Sequence, residues 1–120
     1  MAFAALTVVG AGLGAVFRYV LGGLVNHRMG PEFPWGTLAV NILGCFALGL
    51  LEGVAPHDEV LLFVLGKGLI AGFTTFSTLM LETLNLARAR EHDRAFFNIL
   101  GSLALGLAVL LSGVYLGSAA

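Results

Sequence analysis

Four long apolar runs divide this chain, and they constrain its fold more than any other feature. They cover about residues 3–25, 35–54, 60–86 and 95–116. A helix needs about 20 residues to cross the hydrocarbon of a bilayer, and each run meets that length. Only 11% of the residues are charged, against roughly 25% in soluble domains, so water is not the main solvent of this chain. The sequence predicts an all-α integral membrane protein with one domain of four transmembrane helices.

The same features argue against several other classes of protein. No basic segment precedes the first run and no small-residue cleavage site follows it, so we expect a retained span rather than a signal peptide. The lone Cys45 lies inside an apolar run, which leaves no disulfide framework and no cysteine-based metal site. A net charge of -1 gives a nucleic-acid partner no electrostatic support. No catalytic constellation is present, so we do not expect an enzyme, and a chain this small is expected to oligomerise around a pore.

The third run contains the most unusual stretch of the sequence. Residues 72–78 hold four hydroxyls and two aromatic rings, and Gly66, Gly68 and Gly72 precede or begin that stretch. Unpartnered polar groups are costly in hydrocarbon, so these groups face protein or water. Hydroxyls in membrane helices often bond to their own backbone or join helix packing. The density of this cluster favours a pathway or an ion site, and it predicts a third helix that is broken at its middle.

Polar residues recur at helical spacing elsewhere in the runs. Thr37 and Asn41 share one face of the second run, and a sequence segment that begins at Asn41 is repeated from Asn98. The repeat indicates either similar surroundings for the two asparagines or chance in a chain of biased composition. Arg18 either extends to a membrane interface or concentrates anions at a pore mouth. A polar stripe in the third run contains Thr74, Thr78, Glu82 and Asn85, and we assign Glu82 no conducting role.

These segments together resemble the CrcB/Fluc fluoride channels along nearly the whole chain. The matching residues are 10–19 in the first run, 35–44 in the second, 72–78 in the third and 101–102 in the fourth. The segment in the third run is highly specific, whereas the glycine patterns alone are weak. The resemblance implies a fluoride-selective channel of the inner (plasma) membrane. Such a channel exports fluoride passively through two pores of an antiparallel, dual-topology dimer.

The resemblance also implies which residues meet ions. A central sodium ion meets backbone carbonyls that correspond to Ala71 and Thr74, with Gly72 and Thr75 nearby. Arg18 corresponds to a basic residue near the family's vestibule. The implied fluoride pathway consists of Phe76, Ser77, Thr78, Asn41, Ser102, Asn98, Phe73 and Leu79.

Three positions depart from the family pattern. Leu79 stands where the family has a second pore ring, and Phe73 or Met80 are the candidates to compensate. Asn98 stands where relatives often have a tyrosine. Gly106 stands where a serine can occur, which thins the polar track at that end.

The basic residues bear on how such a dimer is oriented. With four spans, the first and third loops share one side, and that side carries Arg28, Arg88, Arg90 and Arg94. Lys67 is the clear basic residue near the other side. The positive-inside rule therefore favours both termini outside, although an antiparallel homodimer needs both orientations. We expect a homodimer that tolerates this imbalance, with an oppositely biased paralogue in a heterodimer as the alternative.

Two other functions compete with a channel. A small multidrug-type proton-coupled exporter needs a carboxylate in its first helix, and the first run has Arg18 but no Asp or Glu. A non-transporting membrane assembly subunit would explain the small-residue faces. It would leave the cluster of hydroxyls and rings in the third run unexplained.

Overall fold

The computed structural model describes residues 2–119, and every regular element in that range is helical. Four helices are long and apolar enough to cross a membrane, which confirms the prediction from the apolar runs. We refer to them as the first to fourth spans. The helices include polar flanking residues because a backbone that is already helical continues past the hydrocarbon. The four spans are Ala2–Met29, Trp35–Val54, Glu59–Arg88 and His92–Ala119.

The first and third loops meet at one end of the molecule. Arg94, in the first turn of the fourth span, lies 3.7 Å from Glu32 of the first loop and 3.6 Å from Glu91 of the third loop. The ring of Phe33 packs against Trp35 at a centroid distance of 4.7 Å and against Phe97 at 5.7 Å. The second loop lies between the other ends of the second and third spans, where Asp58 Oδ1 accepts a 3.0 Å hydrogen bond from the Leu61 amide.

Glycines allow two pairs of spans to approach closely. A Cβ on Gly113 would lie 2.7 Å from the Phe46 carbonyl oxygen, so the second and fourth spans touch along their backbones. A Cβ on Gly68 would lie 2.8 Å from the Thr7 carbonyl oxygen, and one on Gly72 would collide with Ala11. Glycines before the hydroxyl cluster therefore bring the third span against the first span. Small residues at helix contacts are typical of membrane bundles.

Large apolar side chains cover the outside of the bundle rather than filling a wide core. Val8 is 72% exposed and Tyr115 is 75% exposed, whereas the largest fully buried side chains among residues 2–119 are those of Val40 and Asn98. A surface of this kind is unfavourable in water and ordinary in lipid, where helices associate through packing and hydrogen bonds instead of hydrophobic burial.

The third span is built from unlike pieces, and its predicted interruption is confirmed. It begins as a short α-turn, Glu59–Leu61, and continues as a π-helix, Leu62–Ile70. One further turn, Ala71–Phe73, leads to two extended residues, and the α-helix resumes over Phe76–Arg88. Wide π-turns are rare and often occur at functional sites.

Candidate functional site

The interruption of the third span lies at Thr74 and Thr75. Both residues are extended, with φ and ψ of -86° and 160° at Thr74 and of -149° and 120° at Thr75. Thr75 then caps the helix that follows, because its Oγ1 accepts a 3.2 Å hydrogen bond from the Thr78 amide. A threonine in extended conformation just before a helix is a favourable N-cap. The sequence therefore ends one helix and starts another within two residues.

Asn41 of the second span holds the interruption open. Its Nδ2 donates to the Thr75 carbonyl oxygen at 2.9 Å, and its Oδ1 accepts from the Thr75 amide at 2.8 Å. In an uninterrupted helix the Thr75 amide would donate to the Ala71 carbonyl oxygen. That oxygen instead receives only a 3.4 Å contact from the Thr74 hydroxyl, so it has capacity for another partner.

The hydroxyls after the interruption converge within one helical turn. Thr75 Oγ1 donates to Thr78 Oγ1 at 3.0 Å and lies 3.5 Å from Ser77 Oγ. Thr75 is buried, whereas Ser77 is exposed on the surface of the protomer. A hydroxyl at mid-membrane depth needs protein or water beside it. Lipid chains would offer the exposed side of this cluster no hydrogen-bond partner.

A cavity of about 310 Å³ lies beside the interruption. It brings together seven residues that the sequence analysis selected for fluoride or sodium contact. Six further residues, which had no assigned role, complete its wall. The selected residues are Asn41, Ala71, Thr74, Thr75, Phe76, Leu79 and Ser102, and the others are Gly44, Cys45, Leu48, Gly66, Ile70 and Leu103.

The two ring positions of the pattern differ sharply in exposure. Phe76 is 65% exposed, whereas Leu79 is only 3% exposed inside the protomer. Both side chains contribute to the cavity wall. Phe76 is therefore the ring that a neighbouring molecule or ion can reach, and Leu79 supplies an apolar wall.

Two buried polar side chains on the fourth span lack complete partners among residues 2–119. Asn98 is 0% exposed, and its Nδ2 donates to Thr83 Oγ1 at 2.9 Å, while its Oδ1 has no partner. Ser102 is 7% exposed, and its Oγ is also unpartnered. The two residues are four apart and share a helix face. Orphaned buried polar atoms require an explanation, and a bound ion or water is one.

The repeated segments share surroundings only in part. Asn41 and Asn98 both contact the third span through hydrogen bonds. A Cβ on Gly44 would collide with Thr74, whereas one on Gly101 would meet only Phe97 of its own helix. The asparagine of each copy thus bonds to the third span, whereas only the glycine of the first copy lies against that span.

Several selected residues lie outside the 310 Å³ cavity. The residues not among its lining are Ser77, Thr78, Asn98 and Phe73. Of these, Ser77 and Thr78 bond to Thr75, which lines the cavity, whereas Asn98 bonds to Thr83, which does not. Arg18 is half-buried on the first span, and within the part of the chain that the structure describes it forms no salt bridge. The structure does not bring it to the cavity.

A larger cavity, of about 690 Å³, lies at the end of the bundle that carries the first loop. Glu82 and Asn85 from the polar stripe line it together with Asn26, His27 and Glu32. The Glu82 Oε1 atom is buried without a partner among the described residues. The stripe therefore leads from the hydroxyl cluster towards an aqueous end of the molecule.

The comparisons with known proteins agree on one family. The family described as "CrcB-like protein, Camphor Resistance (CrcB)" matches residues 5–114. The chain is 70% identical to "Fluoride-specific ion channel FluC 1" of Rubrobacter xylanophilus over 95% of this chain and 92% of the relative. It is 46% identical to "Fluoride-specific ion channel FluC" of Thermus thermophilus over 95% of this chain and 94% of that relative. The relative of the same name from Dehalococcoides mccartyi is 43% identical over 94% of this chain and 90% of its own length.

Proposed function

This chain belongs to the CrcB-like family, and we propose that it is a fluoride-specific ion channel of the cell membrane. The observation that carries the proposal is the cavity beside the interrupted third span. There a reachable ring, Phe76, and an unpartnered buried hydroxyl, Ser102, face one space. The high identity to fluoride-specific relatives supports fluoride as the ion.

Fluoride chemistry suits the groups that line this cavity. Fluoride is small and strongly hydrated, so a pathway must replace the hydrogen-bond donors of water. Ser102 and the remaining N–H of the Asn41 amide donate without a fixed charge that would trap the anion. The edge of a phenyl ring carries partial positive charge, so the Phe76 ring can face an anion while its apolar body narrows the path.

A second copy of the chain is proposed to complete the pathway. Phe76 is 65% exposed and Ser77 is exposed near the middle of the third span, where lipid chains offer a hydroxyl no hydrogen-bond partner. An antiparallel partner would cover this face and add its own ring and hydroxyls. The four arginines in or beside the first and third loops favour one orientation, so a paralogue of opposite bias is the alternative partner.

A structural sodium ion fits the interruption. Hard cations prefer oxygen ligands, and the Ala71 carbonyl has lost its helical donor to Asn41. Thr74 is the second residue whose carbonyl the family resemblance assigns to sodium contact. Its backbone is extended, so this carbonyl lies outside the regular helix. Two such carbonyls from each of two protomers would hold one ion at the centre of a dimer. Such an ion would supply positive charge at the interruption.

The rival functions lack comparable support. A proton-coupled exporter needs a carboxylate in the first span, and residues 2–29 contain no Asp or Glu. A purely structural assembly subunit gives no reason for the unpartnered Ser102 hydroxyl beside an exposed ring.

An efflux measurement tests the proposal. Purified protein is reconstituted in liposomes loaded with potassium fluoride or potassium chloride, and efflux is followed with ion-selective electrodes after addition of valinomycin. Rapid fluoride efflux with chloride efflux at the level of protein-free liposomes is expected. Equal efflux of both anions, or no efflux of either, would contradict a fluoride-specific channel.

A further inference from the structure

One wall of the 310 Å³ cavity has donors at two successive turns of the second span. Asn41 and Cys45 are four residues apart, and both line the cavity. On the fourth span Ser102 lines the same cavity, and Gly106, which is not a lining residue, follows four residues later. A side chain on Gly106 would begin 3.3 Å from Cys45 Sγ. The Cys45 thiol therefore lies at the level where the fourth span has no side chain.

The lining of the cavity makes this thiol more than a packing group. Ser102, 7% exposed, presents to the cavity a hydroxyl that has no partner among residues 2–119, so a donor is free there for a ligand that accepts hydrogen bonds. Cys45 is only half-buried. The lining residues Gly66, Leu48 and Leu103 have no side-chain donor. Among the lining residues of the second span, Asn41 and Cys45 are thus the ones with a side-chain donor.

We propose that the Cys45 thiol is an anion-contacting group of the pathway and supplies the hydrogen-bond donor at the level of Gly106. This inference rests on the proposed fluoride function. A thiol is a weak, neutral donor, so it can assist a passing anion without holding it. Its polarisable sulfur also fills the space that a larger residue on the fourth span would need. At this level the second span then provides the hydrogen-bond donor that the fourth span lacks.

Exchange of the donor between the two helices tests the proposal. The Cys45→Ala variant removes the thiol, and fluoride efflux is expected to fall about fivefold, as for the loss of one hydrogen bond. The Cys45→Ala/Gly106→Ser variant places a hydroxyl on the opposite helix in the space that the sulfur vacates. Efflux is expected to return to within about twofold of the original chain. The matched control, Cys45→Ala/Gly106→Ala, refills part of the space without a donor, and its efflux is expected to stay low.

Two outcomes of this exchange would overturn the proposal. One is unchanged efflux in Cys45→Ala. The other is equal recovery in the serine and alanine double variants, which would show that packing alone matters. Each variant is first checked by size-exclusion chromatography to elute as the parent protein does. If Cys45→Ala does not elute as the parent does, Cys45→Ser provides the comparison, and efflux at least equal to that of the parent is expected because a hydroxyl is the stronger donor.

Thiol chemistry gives a readout that separates this inference from the proposed function. Cys45 is the only cysteine, so mercuric ion can form a sulfur–mercury bond at one position. Titration of the thiol by mercuric ion in the intact protein is expected, together with block of fluoride efflux that Cys45→Ser abolishes. Full titration without block would overturn the role of Cys45. Failure of the unmodified parent to conduct fluoride would instead contradict the proposed function, and the titration would still report whether the thiol faces an open cavity.

Discussion

The side-chain amide of Asn41 pairs with the backbone of Thr75 through two hydrogen bonds, of 2.9 Å and 2.8 Å. These bonds replace the helical partners that Thr75 would otherwise have. They fix the interruption of the third span against the second span, and they release the Ala71 carbonyl. One side chain thus connects the helix break, the cavity and the candidate sodium ligands.

Removal of the Asn41 amide is expected to destabilise the protein and reduce fluoride efflux together. In Asn41→Ala both backbone groups of Thr75 lose their partner, at a cost of about 1–3 kcal/mol. Asn41→Asp keeps an acceptor for the Thr75 amide but not a donor for its carbonyl, so an intermediate effect is expected. The midpoint of thermal unfolding in detergent is measured for both variants. An unchanged midpoint for Asn41→Ala would contradict a stabilising role of the hydrogen bonds between Asn41 and Thr75.

The Thr83 hydroxyl is expected to stabilise the fourth span through Asn98. Thr83→Val keeps the shape but removes the acceptor for the fully buried Asn98 amide, at a cost of about 1–2 kcal/mol. Thr83→Ser keeps the hydroxyl and serves as the matched control. The midpoint of thermal unfolding should fall for valine and hold for serine. Equal midpoints in the two variants would show that the bond contributes nothing.

Phe76→Ile is expected to reduce fluoride efflux about tenfold or more while the oligomer still forms. The isoleucine keeps an apolar wall but loses the ring edge that faces the anion. Phe96→Ile is the control, because Phe96 is 67% exposed on the fourth span and does not line the cavity. Its efflux should match that of the parent. Unchanged efflux in Phe76→Ile would remove this ring from the pathway.

Replacement of sodium by a bulky organic cation is expected to lower fluoride efflux. The proposed ligands at Ala71 and Thr74 are backbone carbonyls, which cannot be deleted by substitution, so the ion itself must be exchanged. Protein purified in N-methyl-D-glucamine should lose activity and recover it when sodium is restored. Equal efflux in both cations, with no metal density at a dimer centre in an experimental structure, would argue against the site.

Cysteines introduced into the first and second loops of a Cys45→Ser background test the orientation. If the protein is an antiparallel homodimer, the cysteine in each loop of intact cells is labelled from both sides of the membrane. The arginines in or beside the first and third loops are expected to shift the ratio of the two orientations without abolishing either, because a few charges orient a protein only statistically. Labelling of each loop from one side alone would identify a partner subunit of opposite orientation.

The sequence predicts much of the candidate site. The hydroxyls and rings of residues 72–78 stand out against an apolar run, and Asn41 and Ser102 belong to segments that match the family. Cys45 was missed as a lining residue because a cysteine in an apolar run has the composition of ordinary packing. The one signal in the sequence that Cys45 lines the cavity is its spacing of four residues from Asn41. That spacing is informative only when Asn41 is known to face the cavity.

The sequence by itself determined the four spans and the interruption in the third, because length, hydropathy and dense polar groups are local properties of a chain. The tertiary structure alone decided that Asn41 meets Thr75, 34 residues away, and that Cys45 lies opposite Gly106. It also decided which glycines bring backbones together. These relations depend on how each helix is rotated and how deeply it packs against its neighbours. Lipid is as apolar as the side chains, so hydrophobic pattern does not specify that rotation, and close backbone contacts and polar pairs do.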